Sequence, residues 1–313
     1  MSIGRTLTAR LRGGLGNQMF QYAAARALAD ELGMDVVLDT RRGFQTDKVY
    51  RRTYALGKFP IRAMHATRWS EWPYAIEGII RKLRMGHPAP EWVTKRPWGY
   101  MLTEREYVYF AGAFELKPDR NIWMNGFWQS EKYFASRRDA ILRDFELPEP
   151  ESRHCLEMAR RIEGSNAVAV GVRLFEEMPA TDDRSAVGGV VPWSYYERAA
   201  RLVCEQLANP TFFVFCTKRR GVEGRINLPG EVHYVTADEG FGDEFEALWL
   251  FSRCRSYILS NSTFYWWGAW LGEGRRGSAL VIARDQFPNK DAIPARWIKD
   301  SEIPGAPRRT LAT

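Results

Sequence analysis

Long apolar runs are missing from this 313-residue sequence. No stretch reaches the roughly 18 residues that suggest a membrane span. Met1 to Arg10 is short and polar, without the apolar centre of a secretory signal. Cysteine is sparse. Cys155, Cys204, Cys216 and Cys254 lie far apart with no Cys-x-x-Cys pair, which excludes zinc-site spacing. A chain this long needs no disulfide framework. Three of the four fall in apolar helix or strand patterns and read as buried free thiols. The four histidines are scattered, so no histidine-rich metal cluster is available. Asp-x-Asp motifs of the kind that bind a metal-diphosphate pair are absent, and Asp182-Asp183 reads as a polar loop.

What is present fits a soluble globular chain long enough for two domains: 45% hydrophobic and 27% charged residues. The net charge of +7 suits an anionic ligand, such as a nucleotide or phosphate, or an anionic membrane face. A general solubility surplus accounts for it equally well.

Strands alternate with helices, the pattern of an α/β fold with largely parallel sheets. Thr6 to Leu11 reads as a strand, Gln18 to Leu32 as a helix closed by Gly33, and Met34 to Asp39 as the next strand. Arg41 to Asp119 is aromatic, basic and poorly patterned. Beyond it the alternation is clear. Ala167 to Leu174, Thr211 to Cys216, Val232 to Val235, Tyr257 to Ser260 and Leu280 to Ala283 read as strands. Glu151 to Glu163, Trp193 to Leu207, Asp243 to Cys254 and Thr263 to Leu271 read as helices. The link Leu147-Pro148-Glu149-Pro150 predicts two lobes, 1–150 and 151–313, with a cleft between them.

Three segments carry candidate chemistry. In the first, Arg12-Gly13-Gly14-Leu15-Gly16-Asn17-Gln18, a strand ends and a helix begins. Gly14 and Gly16 let backbone approach a ligand, the helix start offers N–H groups to phosphate, and Asn17 and Gln18 add neutral donors. A tight turn with no ligand is the competing explanation. No Gly-Lys-Ser/Thr follows, so it is not a P-loop. Met19 breaks a dinucleotide fingerprint, which argues against a nicotinamide-dependent oxidoreductase even though Asp39 sits near the position of a ribose-binding acid. In the second segment, Ser260-Asn261-Ser262-Thr263 precedes Phe264-Tyr265-Trp266-Trp267-Gly268-Ala269-Trp270-Leu271. Asn261, Ser262 and Thr263 suit an N-cap or a diphosphate, and the aromatic run reads mainly as core. In the third, a buried strand delivers Arg173 at its C-terminal end, placed to neutralise a diphosphate leaving group or to pair with Glu176 or Glu177.

Together with Arg51-Arg52-Thr53-Tyr54-Ala55-Leu56, Gly126-Phe127-Trp128-Gln129-Ser130-Glu131-Lys132-Tyr133-Phe134, Pro288-Asn289-Lys290 and Ile293 to Lys299, these motifs resemble, in order, the bacterial α-1,2-fucosyltransferase family. The resemblance spans almost the whole chain. It implies two Rossmann-like lobes of the GT-B type, with acceptor binding and the glycine-rich loop in the first and the nucleotide-sugar donor in the second. It also implies inverting transfer of L-fucose from GDP-fucose to a galactose-type hydroxyl in surface-glycan synthesis, with no metal. Departures fall in one place. The family pattern His-x-Arg-Arg-x-Asp appears here as Gly171, Arg173, Leu174 and Glu176, and a following Ser-Asp-Asp as Cys216-Thr217-Lys218. These changes fall at contacts that the resemblance places on the base side of the donor. Another nucleotide-deoxysugar, or a non-catalytic glycan- or polyanion-binding role, therefore stays open.

The expected site comprises Arg173, Asn17 and Glu176 as catalytic residues. Gly14, Gly16, Gln18, Arg173, Asn261, Ser262 and Thr263 are expected on the donor. Asp39 and Asp30 are further candidates for a general base, with Asp30 reading as a solvated helix position. The expected partners are a nucleotide sugar and a glycan acceptor, not nucleic acid. The expected location is cytoplasmic, with Trp69 to Met85 either a helix with a basic outer face or a peripheral contact with the inner membrane.

Overall fold

A computed structural model describes residues 4–45, 47–48, 50–83, 91–174, 191–287 and 289–305. The chain divides into two compact units. One is Met1–Glu146 with Asn289–Ala292, the other Leu147–Pro288 with Ile293–Thr313.

The first unit runs β1 (Thr6–Arg10), α1 (Leu15–Leu32), β2 (Asp35–Asp39), α2 (Arg42–Gln45), β3 (Met64–His65), α3 (Arg68–Leu83), β4 (Val93–Arg96), β5 (Gly99–Thr103), β6 (Asn121–Asn125) and α4 (Arg138–Asp144). Its described sheet has the order β3-β2-β1-β6-β5-β4, parallel except for the β4–β5 hairpin. Helix α1 is rich in alanine, a strong helix former, and is buried around most of its circumference. It begins three residues earlier than its apolar spacing suggests. It ends at Gly33, whose φ of 62° only glycine adopts cheaply. Helix α3 matches the helical reading of Trp69 to Met85 and is fastened by Tyr74, whose buried hydroxyl donates to the carbonyls of Thr8 and Met124 at 2.7 and 2.8 Å. The Trp123 indole donates to Ser70 O of the same helix.

The second unit runs α5 (Arg153–Glu163), β7 (Asn166–Gly171), α6 (Trp193–Gln206), β8 (Pro210–Cys216), β9 (Glu231–Thr236), α7 (Glu244–Arg253), β10 (Ser256–Leu259), α8 (Thr263–Arg276), β11 (Leu280–Ala283) and β12 (Ile298–Lys299). The strand order is β12-β11-β10-β7-β8-β9, and every pair is parallel. The central strands are apolar on both faces, as a sheet covered on both sides requires. Helix α6 packs Tyr195, Tyr196, Ala199 and Val203 on Val168, Val170 and Ile258. Asp243 caps α7, accepting from the N–H groups of Phe245 and Glu246. Cys155, Cys216 and Cys254 are buried, and burial pushes the Cys155 thiol up to about 12. Trp266, Trp267 and Trp270 are also buried, so this part of the aromatic run is core.

Helices α7 and α8 approach closely through glycine. A Cβ on Gly272 would lie 1.8 Å from the Tyr257 hydroxyl and 2.6 Å from Ser252 O, whereas one on Gly78 of α3 would meet nothing within 4 Å. Gly272→Ala is therefore expected to cost about 1–3 kcal/mol in urea unfolding. Gly78→Ala should cost nothing and add up to about 1 kcal/mol.

Candidate active site

Ligands of open α/β sheets bind beyond the carboxyl ends of strands, where the strand order reverses. In the second unit that point lies between β7 and β10, since the chain leaves β7 towards β8 and β10 towards β11. Gly171 pairs with Leu259, and the N–H of Ser260 donates to Gly171 O at 3.0 Å. Arg173 and the start of α8 consequently emerge side by side. The half-buried Arg173 guanidinium reaches Asn261 O at 3.4 Å. Ser262 occupies the N-cap position of α8 without using its hydroxyl as a cap. The first-turn N–H groups have no partner within the helix, and they carry the positive end of its dipole. Arg173, Asn261, Ser262 and Thr263 are thus brought together as a cationic, hydrogen-bond-donating edge suited to phosphate oxygens. Glu176 and Asp182-Asp183 lie outside the described residues.

The two departures beside Arg173 have visible packing. Leu174 is buried in the core, with Cδ1 2.7 Å from where a Cβ on Gly221 would lie. Lys218 is exposed at the end of β8. Its neighbour Arg219 is neutralised by Glu223 and Glu239 at 2.7 and 2.6 Å.

In the first unit β1 and β6 are paired neighbours, and the glycine loop follows β1. Gly13 has a φ of 78°. Gly14 is the uncapped N-cap residue of α1, and the Arg52 guanidinium sits 3.8 Å from where its Cβ would be. Gln18 is fully buried, and its amide is spent on the loop itself. Nε2 donates to the carbonyls of Gly13 and Thr53, and Oε1 accepts from Ala55 N, each within 2.9 Å. Sequence treats Gln18 as a ligand donor, but its two N–H bonds are both used internally. Asn17 is half-buried and accepts from Gln129 Nε2 at 2.9 Å. Gly16 is buried.

Three contributors had no site role assigned from sequence, although Gln129 and Asn289 lie in motifs that carry the resemblance. Glu104, just after β5, accepts from the N–H groups of Phe127 and Trp128 at 2.5 and 3.1 Å, holding the Gly126–Gln129 turn against the glycine loop. Burial raises its carboxyl above the usual range, against the opposing pull of those N–H groups. Gln129 links that turn to Asn17. The returning segment Asn289–Ala292 fastens it from the other side. Asp291 pairs with Lys132 and accepts from Tyr109 N, and its carbonyl accepts from the Ser130 hydroxyl. Asp39 is a buried anchor: it accepts from the N–H groups of Arg41 and Arg42 and lies 3.7 Å from Arg10. Asp30 pairs with Arg26 on an exposed helix turn.

A family model described as glycosyl transferase family 11 matches residues 81–299. An alpha-1,2-colitosyltransferase of Escherichia coli is 27% identical over 310 residues, covering 94% of this chain and 98% of the relative. The O-antigen biosynthesis glycosyltransferase WbnK, also of Escherichia coli, is 29% identical over 273 residues, covering 83% and 88%. The structure of Arabidopsis thaliana FUT1 mutant R284K in complex with GDP shares the fold with a TM-score of 0.50 at 12% identity, covering 90% of this chain and 70% of that one. The two Rossmann-like units are those of a GT-B glycosyltransferase.

Removing the Gln18 amide leaves Gly13 O, Thr53 O and Ala55 N without their partner, at about 1–3 kcal/mol for each buried group left unsatisfied. Gln18→Ala should therefore lower the urea midpoint well below that of the parent. An unchanged midpoint would show that water replaces the amide freely.

Proposed function

The chain belongs to glycosyl transferase family 11 and is a glycosyltransferase; from that premise we propose that it moves L-fucose from GDP-fucose to a galactose-type hydroxyl of a glycan in surface-polysaccharide synthesis. The observation that carries this reading is the pairing of Arg173 with the uncapped start of α8 at the β7–β10 break. In a single inverting displacement, the acceptor hydroxyl attacks the anomeric carbon from the face opposite the nucleoside diphosphate. The C–O bond to the diphosphate breaks, and its electron pair leaves with the phosphate oxygen. The growing negative charge lies where a guanidinium and the N–H groups at the helix start meet it without reorganising. Those groups supply the positive charge, so a metal ion is not required for the step. The acceptor proton passes to a base, for which Glu176 is the candidate by sequence position. The first unit holds the acceptor, with Gly14, Gly16 and Asn17 lining its strand-end loop and Arg52 adding positive charge.

A second reading keeps the same chemistry and changes the sugar to another nucleotide-linked deoxysugar. Gly171 and Lys218 at the base-side positions favour it, as does the similarity to a colitosyltransferase.

Among the described residues no helix is long and apolar enough to cross a membrane. Helix α3 offers a peripheral contact instead. Trp72, Ile79 and Leu83, spaced seven and four residues apart on one face, are 37%, 56% and 81% exposed, with Lys82 beside them. Exposed apolar residues beside positive charge suit an anionic lipid surface, where a lipid-linked glycan would lie.

Arg173→Ala is expected to keep the parent's unfolding midpoint and to lose about 10²–10³ in kcat, read by sugar transfer to a galactoside. Parent-like turnover would remove Arg173 from the mechanism. Sedimentation with vesicles containing anionic lipid should deplete the protein from solution. Ile79→Glu/Leu83→Glu should abolish that without changing turnover on a soluble acceptor, and equal depletion of both proteins would remove α3 as the contact.

A further inference from the structure

Gly171 is the last residue of β7, and its φ lies outside the left-handed region, so its backbone does not demand glycine. Space demands it. A Cβ there would lie 2.4, 2.6 and 2.9 Å from Cγ, Cδ2 and Cδ1 of Tyr265. Tyr265 belongs to the first turn of α8, the same turn that offers its N–H groups beside Arg173. Its ring stacks on Phe251 with centroids 5.1 Å apart and meets Phe264 edge-on at 5.5 Å. Its hydroxyl is spent within the sheet, 2.9 Å from Phe215 O and 3.3 Å from Val172 O. The ring therefore reaches from α8 across the end of β7 to the end of β8. It fills the volume into which any side chain at 171 would project. Unlike the three buried tryptophans that follow in α8, Tyr265 remains partly exposed at this edge.

We propose that Tyr265 and Gly171 form an exchanged pair that sets donor selectivity: Tyr265 plugs the strand-end position with an aromatic wall in place of a polar side chain at 171. The proposal rests on the reading of this edge as the nucleotide-sugar site. A polar side chain at the strand end would bond one group of the donor and reject donors that lack that group. The wall meets the same group with its hydroxyl already engaged. A site built to hydrogen-bond a substrate group discriminates by about 10⁴–10⁵, whereas an apolar wall discriminates by about 10–200. The donors that fit are nucleotide sugars with a deoxygenated or apolar group against the end of β7, and near relatives differing at that group should be accepted together.

The test compares parent, Gly171→His, Tyr265→Ser and the double variant, by unfolding midpoint and by kcat/KM. The donors are GDP-fucose, its 3-deoxy analogue, and UDP- and dTDP-linked sugars. Gly171→His alone should be strongly destabilised or fail to fold, and Tyr265→Ser should lose stability through the void. The double variant should recover more than the two single effects allow. Its kcat/KM ratio for at least one donor pair should shift tenfold or more from the parent, and the pair that shifts names the moiety against β7. Additive stabilities, or donor ratios all within twofold of the parent, would overturn the proposal. If stability is coupled but the parent turns over none of these donors, the donor-site reading itself fails, and the selectivity claim falls with it while the packing exchange stands.

Discussion

Everything at the candidate site depends on one constraint of parallel sheets. Two neighbouring strands whose crossovers run in opposite directions cannot both cover their shared carboxyl end. In the second unit α6 leaves β7 towards β8, and α8 leaves β10 towards β11. The uncovered end lies between them, and whatever follows each strand emerges there. Arg173 follows β7, and the Ser260–Thr263 run follows β10. The sheet thus concentrates a guanidinium and a helix start at one point without long-range adjustment of either. In the first unit the adjacent ends of β1 and β6 lead into the glycine loop on one side and the Gly126–Ser130 turn on the other.

A strand-end loop cannot use ladder hydrogen bonds, so other groups must fix its shape. In the first unit buried side-chain amides and half-buried carboxylates do this. Gln18 binds Gly13, Thr53 and Ala55; Gln129 binds Asn17; Glu104 holds two consecutive N–H groups; and Asp291 arrives from far along the chain to hold Tyr109 and Lys132. In the second unit the equivalent service comes from Tyr265, whose hydroxyl engages carbonyls at the ends of two strands. These polar groups are costly to bury alone and stabilising when paired, which makes the loop shapes specific.

Sequence made the second unit legible because its strands are continuous apolar runs and its helices are strongly amphipathic. The strands from β7 to β11 fall within a few residues of their expected bounds. Arg173 and the Asn261–Thr263 run were legible for the same reason: each sits where a clear strand stops. Helix α3 falls within a few residues of the helical reading of Trp69 to Met85, but β4 and β5 were not legible, because they are short and pair with each other antiparallel. The role of Gln18 was hidden because a neutral amide beside a glycine turn looks the same whether it faces a ligand or the loop. The return of Asn289–Ala292 to the first unit was hidden because Asp291 and Lys132 are 159 residues apart. The fit of Tyr265 against Gly171 joins residues on different elements, so no local pattern marks it.

The central claim is that Arg173 and the start of α8 bind the donor's diphosphate, with its base selected nearby and no metal between. Calorimetric titration with GDP, with UDP as the comparison, each with and without EDTA, tests it most directly. The account predicts GDP binding that is tighter than UDP binding and unchanged by EDTA. GDP binding lost in EDTA would contradict the metal-free diphosphate site, and equal affinity for UDP would contradict GDP as the nucleotide of the donor.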